Sequence, residues 1–340
     1  MYPKVGPLPE RYANTEGDYM LKYFFRRLLS FIPKILIITI LIFIGLEFVP
    51  GDPISYLIPP EQMAFMTEET IANMRENLGL NDPAYIRYFK WLGNILKGDM
   101  GYSLINGVKI SDIIWTRLPA TIELTALGFA VATILGLLFG FISALKRNTP
   151  IDYSLTALGM VGVSIPEFFF GLSAIVVFGL TFRWLPPGGR MTPGQPGFFQ
   201  RIPYLVMPVL VIGISYTATL MRYTRGSMLD TMNKDYVKAA RSKGLSETRV
   251  NLVHSFRNAI IPVMIIIVNR IPILIAGTVV IESVFNYPGM GKLILESISG
   301  SDMPVVMIAT FFIALAVLIA SFLVDLLSAL LDPRIRFGKM

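Results

Sequence analysis

No cysteine occurs in the 340 residues, which removes disulfides, thiolate metal sites and thiol nucleophiles together. Histidine occurs once, at His254, too few for an imidazole-built metal site or a catalytic triad. Charged residues make up only 16% of the chain, where soluble domains carry about a quarter. A complete phosphate loop is also missing. Gly289-Met290-Gly291-Lys292-Leu293 echoes the end of one, but the first glycine is absent and Leu293 cannot ligate magnesium. No paired acids, ligand spacing or nucleophile–base set emerges. The chain therefore reads as non-enzymatic, with no catalytic residue, no metal site and no cofactor of its own.

What the chain has in quantity is apolar sequence. Hydrophobic residues reach 54%, gathered in six runs at 28–49, 121–145, 154–182, 203–221, 258–281 and 305–331. Each is close to the roughly 20 residues a helical crossing needs. The expected fold class is an all-α polytopic membrane protein with six transmembrane helices. The first run is too long for a signal-peptide core and lacks a small-x-small cleavage site, so it reads as a retained span. Lys34 and Glu47 lie near its ends, where their charges can snorkel. Pro166, Pro208, Pro262 and Pro272 offer bending points, and Gly128, Gly136, Gly140, Gly162 and Gly171 allow close helix approach.

Between spans the charges sort by side. With the N-terminus inside, segments 1–27, 146–152, 222–257 and 332–340 hold eighteen of the 30 Lys and Arg residues. By the positive-inside rule both termini and the 222–257 loop face the cytoplasm. The net charge of +7 is thus an orientation signal, and nucleic acid is not an expected partner. The organisation expected is a cytoplasmic segment 1–27, a first span 28–49, an external region 50–118, a core 119–331 and a cytoplasmic tail 332–340. The external region holds two helix candidates. Thr67 can cap the first, with Glu68 and Glu69 in its first turn, Ile71, Met74 and Leu78 along one side, and Gly79 as its end. Asp82-Pro83 opens the second, which ends at Gly98. Tyr85, Tyr88, Phe89, Trp91 and Leu92 make it aromatic enough to lie in the membrane interface.

The loop within 222–257 is polar, basic and clamped between two apolar runs. Good helix formers Val237, Lys238, Ala239, Ala240 and Arg241 follow Asp235, whose charge suits a helix N-terminus. Gly244 stops the helix, and Ser246 is placed to cap a second one, with Glu247 in its first turn. Ala239 and Ala240 leave one face smooth enough for another protein to approach. Two other readings fit the same residues: a DNA-binding helix-turn-helix, which spans about ten residues away on each side would keep from a duplex, and an ordinary solvated loop.

The order Lys238-Ala239-Ala240, Gly244, Arg257-Asn258-Ala259 and Pro262 resembles the glutamate-Ala-Ala (EAA) loop of ATP-binding-cassette (ABC) importer permeases. It is most similar to the oligopeptide/dipeptide (peptide/nickel) branch, through Asp235-Tyr236, Ala240-Arg241, Lys243-Gly244-Leu245-Ser246, His254 and Arg257-Asn258-Ala259. Lys238 stands where the general pattern has glutamate, and Ala239 where many of the branch have threonine. The stretch from Leu92-Gly93 to Gly98-Asp99-Met100-Gly101-Tyr102-Ser103, the segment 279–285 with Pro288-Gly289-Met290-Gly291, and Asp332-Pro333-Arg334 resemble the same branch, so the likeness covers about residues 20 to 340.

That resemblance implies a type I importer permease with a cytoplasmic coupling helix. Its docking residues would be Asp235, Tyr236, Lys238, Ala239, Ala240, Lys243, Gly244, Leu245 and Ser246. The partners implied are a second, homologous permease forming a heterodimer, two cytoplasmic ATP-binding subunits that use ATP and Mg, an extracellular substrate-binding protein, a peptide cargo and the lipid bilayer of the plasma (inner) membrane. Sugars or nickel chelates are alternative cargoes of the same architecture. A transporter driven by an ion gradient is the rival class, marked by span carboxylates; Glu123, Glu167 and Asp325 are its candidates. Asn269-Arg270 sits near the middle of the fifth run, where an arginine costs about 2.5–3.5 kcal/mol to insert. Glu167, Asn269 and Arg270 are therefore candidate residues of the translocation path, with Arg270 facing a peptide carboxylate or backbone. The alternative is an internal pair between Arg270 and Glu167 or Glu123.

Overall fold

The computed structural model describes residues 10–48, 54, 65–77, 79–191 and 197–331. The expected turn at Gly51-Asp52-Pro53, the apolar Leu78 and the tail 332–340 lie outside them. The regular structure of the described residues is helical, apart from one isolated antiparallel bridge between Tyr102 and Lys109. Among the described residues, five helices are long and apolar enough to cross a membrane, or six if one bent pair counts as a single span.

The first span belongs to a longer helix, α1 (Glu10–Glu47), whose apolar stretch is Phe24–Gly45. Polar residues 10–23 continue the helix because nothing in them breaks it, so the membrane boundary is chemical rather than conformational. Next in the chain are α2 (Glu68–Asn77) and α3 (Ala84–Leu96). Thr67 caps α2, its hydroxyl accepting the Thr70 N–H at 3.3 Å. Asp82, expected to cap α3, does not. Pro83 occupies the N-cap position, and the Asp82 carboxylate reaches forward to Lys90 Nζ at 2.5 Å. The aromatic residues of α3 divide: Tyr88 is buried against Phe43 of α1 and hydrogen-bonds Thr39 at 2.9 Å, whereas Tyr85 and Phe89 stay exposed.

The core is the pair α4 (Ile110–Leu145) and α7 (Phe198–Met232). Gly128, Gly136 and Gly140 repeat on one face of α4, and a Cβ on them would come within 2.5–2.6 Å of Ile212, Leu220 and Thr224 on α7. Val131 of α4 reciprocates by filling the space over Gly213. Gly162 does not share this role; its nearest neighbour would sit at 3.7 Å, an ordinary contact. α4 begins at Ile110, so the expected boundary at 119 falls inside a helix that carries Pro119.

Two runs read as single spans are each broken. The third divides into α5 (Pro150–Ser164) and α6 (Glu167–Thr181), bent by 100°, with α6 becoming π-helical from Ile175. The cause is Pro166: it pushes Ile165 into an extended conformation, φ −86°, ψ 125°. The fifth divides at Arg270 into α9 (Glu247–Asn269) and α10 (Ile271–Val284). Pro272 starts α10 without an N–H to give back to the preceding turn. Pro208 and Pro262, by contrast, remain inside continuous helices. α11 (Met290–Ser299) and α12 (Met303–Leu331) complete the chain, and α12 packs on α1 through an Arg27–Asp325 ion pair at 2.9 Å.

Candidate coupling surface and translocation path

The basic loop is mostly helix. α7 runs to Met232 and α9 starts at Glu247, leaving between them only Asn233-Lys234, α8 (Asp235–Ser242) and a four-residue turn. α8 forms as expected, and Gly244 ends it at φ +74°, a left-handed conformation that glycine alone adopts without strain. Val237, Ala240 and Val250, all buried, form a small core with Leu245. Asp235, Tyr236, Lys238, Ala239, Lys243, Gly244 and Ser246 are exposed.

Two expectations for this loop change. Ala240 is not part of a smooth outer face; it turns inward at 6% exposure and anchors α8, leaving Ala239 outside. Ser246 stands at the N-cap of α9 with extended backbone, but its hydroxyl makes no capping bond. Its place is taken by charge: Glu247, in the first turn, accepts from Arg241 Nε at 3.0 Å and so bridges the turn. Lys238, the departure from the family pattern, pairs with Asp235 at 3.1 Å on the open face.

The lever is fastened at both ends. Lys234 N–H bonds Thr231 O at 3.1 Å, tying α8 to the end of α7, and Val250 N–H bonds Ser246 O at 3.0 Å. Between α8 and the rest of α9 lies a π-helical stretch, Val250–Phe256. Ser227 of α7 donates to Ala259 O of α9 at 2.7 Å, and Phe256 meets Phe141 of α4 edge-on at 5.3 Å. These contacts link α8, α7, α9 and α4 in one chain.

The three span carboxylates have different fates. Glu123 accepts from Arg190 at 2.6 and 3.1 Å and from the Tyr287 hydroxyl at 3.1 Å, with Arg201 at 3.8 Å. Burial pushes the Tyr287 phenol up, so it stays a donor. Asp325 is held by Arg27. Glu167, the first residue of α6, makes no hydrogen bond or ion pair among the described residues, and neither does the Arg270 side chain. The pairing of Arg270 with Glu123 or Glu167 is therefore absent. Asn269 is exposed and turns its amide back onto Ile265 O at 2.7 Å. Tyr216 of α7 lies within electrostatic reach of both Glu167 and Arg270.

Two buried acids escaped sequence reasoning. Glu282 of α10 is fully buried and accepts from Thr121 Oγ1 at 2.6 Å and from the N–H groups of Gly291 and Lys292 at 2.8 and 3.1 Å. The stretch resembling the end of a phosphate loop does hold an anion, but the anion is the chain's own carboxylate at the N-terminus of α11. Asp152 of α5 takes Arg225 of α7 in a two-pronged grip at 2.8 and 2.7 Å and also accepts from Ser143. An acid in a first helical turn was the only available signal, and it carries no word of its partner.

Several apolar helices long enough to cross a membrane, with a short polar helix between two of them, define a multi-pass membrane protein. The chain belongs to the family described as binding-protein-dependent transport system inner membrane component, which matches residues 136–337, with that family's N-terminal region matching residues 20–125. It is 40% identical to the oligopeptide transport system permease protein AppB of Bacillus subtilis, covering 94% of this chain and 100% of that one. It is 34% identical to the di/tripeptide transport system permease protein DppB of Pseudomonas aeruginosa (94% and 100%) and 34% identical to the glutathione transport system permease protein GsiC of Escherichia coli K12 (94% and 100%). Among solved structures, a methionine ABC transporter in inward-facing conformations superposes with a TM-score of 0.54 at 13% identity, over 65% of this chain and 96% of that one. An amino acid ABC transporter does so with 0.50 at 16%, over 64% and 94%. At these identities the likeness is one of fold, that of ABC importer permeases.

Proposed function

We propose that this chain is one of two membrane subunits of an ABC importer that carries peptides inward across the plasma (inner) membrane. Relatives named for oligopeptide and di/tripeptide transport align over nearly their whole lengths, which supports the cargo class. The observation that carries the mechanism is the α8–Gly244 lever, exposed on one side and cored onto the start of α9 on the other. A second, homologous permease completes the cavity, two cytoplasmic ATPase subunits grip Asp235, Tyr236, Lys238, Ala239, Lys243, Gly244 and Ser246, and an extracellular binding protein delivers cargo. Ala240 and Leu245 act from inside, holding the lever. Both termini and α8 face the cytoplasm, following the basic residues. ATP and Mg act on the partners, and this chain hydrolyses nothing.

Transport needs the docked ATPases to favour one arrangement of the bundle over the other, because a partner that binds both equally shifts nothing. Closure of the ATPase pair, pressed into α8, tilts α7 and α9 as one body. A gradient-driven transporter loses two of its three markers, since Glu123 and Asp325 are neutralised by arginines. The test is purification of the tagged chain from its native membrane. Co-purifying ATPase subunits and a second permease, with no ATPase activity in the isolated chain, are expected; uptake by the chain alone in vesicles without nucleotide overturns the reading.

A further inference from the structure

Among the described residues, the third crossing is bent by 100° and the fifth is interrupted at a single residue, and each interruption carries an ionisable residue. Glu167 follows the 100° bend of the third crossing, and Arg270 occupies the joint between α9 and α10 in the fifth. Breaks of this kind are where membrane transporters place their binding groups, since the freed helix ends point into the cavity rather than the lipid. α6, α7 and α10 touch one another, so the two breaks share one neighbourhood. Tyr216 of α7 stands there, its hydroxyl 3.1 Å from where a Cβ on Gly277 of α10 would lie.

Three other carboxylates of the apolar helices have arginine partners: Glu123 has two, Asp325 and Asp152 one each. Against that pattern, Glu167 and Arg270 are left without hydrogen bond or ion pair although both are half-buried. An uncompensated charge at this depth is retained where something else supplies the counter-charge. Two charges of opposite sign, kept apart on either side of one tyrosine, fit a ligand that carries both signs itself.

We propose that Glu167, Tyr216 and Arg270 form a substrate-reading site for free peptide termini, Glu167 receiving the α-ammonium and Arg270 the α-carboxylate. The guanidinium offers paired donors to a planar carboxylate. An ammonium arriving beside Glu167 favours the ionised carboxylate. Tyr216, a donor and an acceptor between them, serves the peptide backbone. The permease then selects cargo itself and does not leave selection to the binding protein. This rests on the peptide-permease reading above.

The test is uptake by the reconstituted complex at saturating loaded binding protein, comparing a free peptide with its N-acetylated and C-amidated forms. The binding protein is common to all variants, so changes in the ratios report the permease. Wild type should prefer the free peptide over either blocked form by about tenfold, the worth of one hydrogen bond to a charged group. Glu167→Gln should erase the penalty for N-acetylation alone, Arg270→Gln the penalty for amidation alone. Glu167→Asp and Arg270→Lys, which keep the charges, should keep both penalties and serve if the Gln variants fail to assemble. Equal slowing of all three peptides in every variant, or unchanged ratios, overturns the site. No uptake of any peptide by wild type overturns the peptide reading beneath it, a separate result.

Discussion

At the scale of single residues, the side chains that matter most are those whose surroundings leave no alternative. Thr121 both donates to Glu282 at 2.6 Å and accepts the Met290 N–H at 2.8 Å, in a site closed to water. Thr121→Val keeps the volume, removes the hydroxyl and leaves a buried N–H orphaned. The expected loss is about 1–3 kcal/mol, read as a lowered thermal midpoint of the detergent-solubilised protein; an unchanged midpoint refutes the network. Gly289→Ala should be worse, because the added methyl would lie 2.2 Å from the Glu282 carboxylate and would drive it out of its buried hydrogen bonds. Gly244 offers the opposite case. Nothing lies within 4 Å of its missing Cβ, so Gly244→Ala meets only the left-handed φ of +74°, worth about 1–2 kcal/mol. That small strain falls on the end of α8, and the expected result is ATP hydrolysis by the complex with uptake reduced; full uptake with normal hydrolysis refutes the lever.

Helices raise a different question, namely which features of an element its own sequence can announce. Six apolar runs, the stop at Gly244 and the cap at Thr67 were all readable, since each depends on a property local to a few residues. The four prolines were not separable. Pro208 and Pro262 sit in unbroken helices while Pro166 and Pro272 mark breaks, and the choice is made by neighbouring helices that a linear reading does not see. Ala239 and Ala240 pose the same problem in a helix of eight residues, where the inward face is set by Val250 and Leu245 beyond the turn. Ser246 had the right chemistry and the right position, and Arg241–Glu247 still took over the closing of the turn. The glycine stripe of α4 was legible as small residues but not as contacts. Its consequence can be checked by contrast. Gly136→Val must displace Leu220, already 2.5 Å from a single added carbon, at about 1–3 kcal/mol for overpacking. Gly162→Ala meets only a 3.7 Å neighbour and should leave stability within about 0.5 kcal/mol. Equal yields and midpoints for the two variants would contradict the α4–α7 seam.

For the whole molecule the open choice is which way it faces, and one absence noted at the outset makes that choice measurable. With no cysteine anywhere in the chain, any introduced thiol is the sole reactive site, with no background to subtract. Lys243 is exposed in the turn after α8 and Tyr102 in the segment before α4, and with the bent α5–α6 pair counted as one crossing the two report opposite sides of the bundle. The basic residues on the segments flanking α8 must face the cytoplasm if the positive-inside rule governs insertion. A membrane-impermeant maleimide should therefore label Lys243→Cys only in inverted vesicles and Tyr102→Cys only in right-side-out ones. The reverse pattern turns the molecule over, and with it the side from which ATP acts. The same thiol tests the grip. An ATPase cleft seated on α8 shields the turn that follows it, so labelling of Lys243→Cys should fall when the ATPase subunits are bound and return when they are stripped away. Tyr102→Cys should be indifferent to both. Labelling of Lys243→Cys that ignores the ATPases leaves α8 a solvated loop, since an element that receives mechanical work has to be touched by what delivers it.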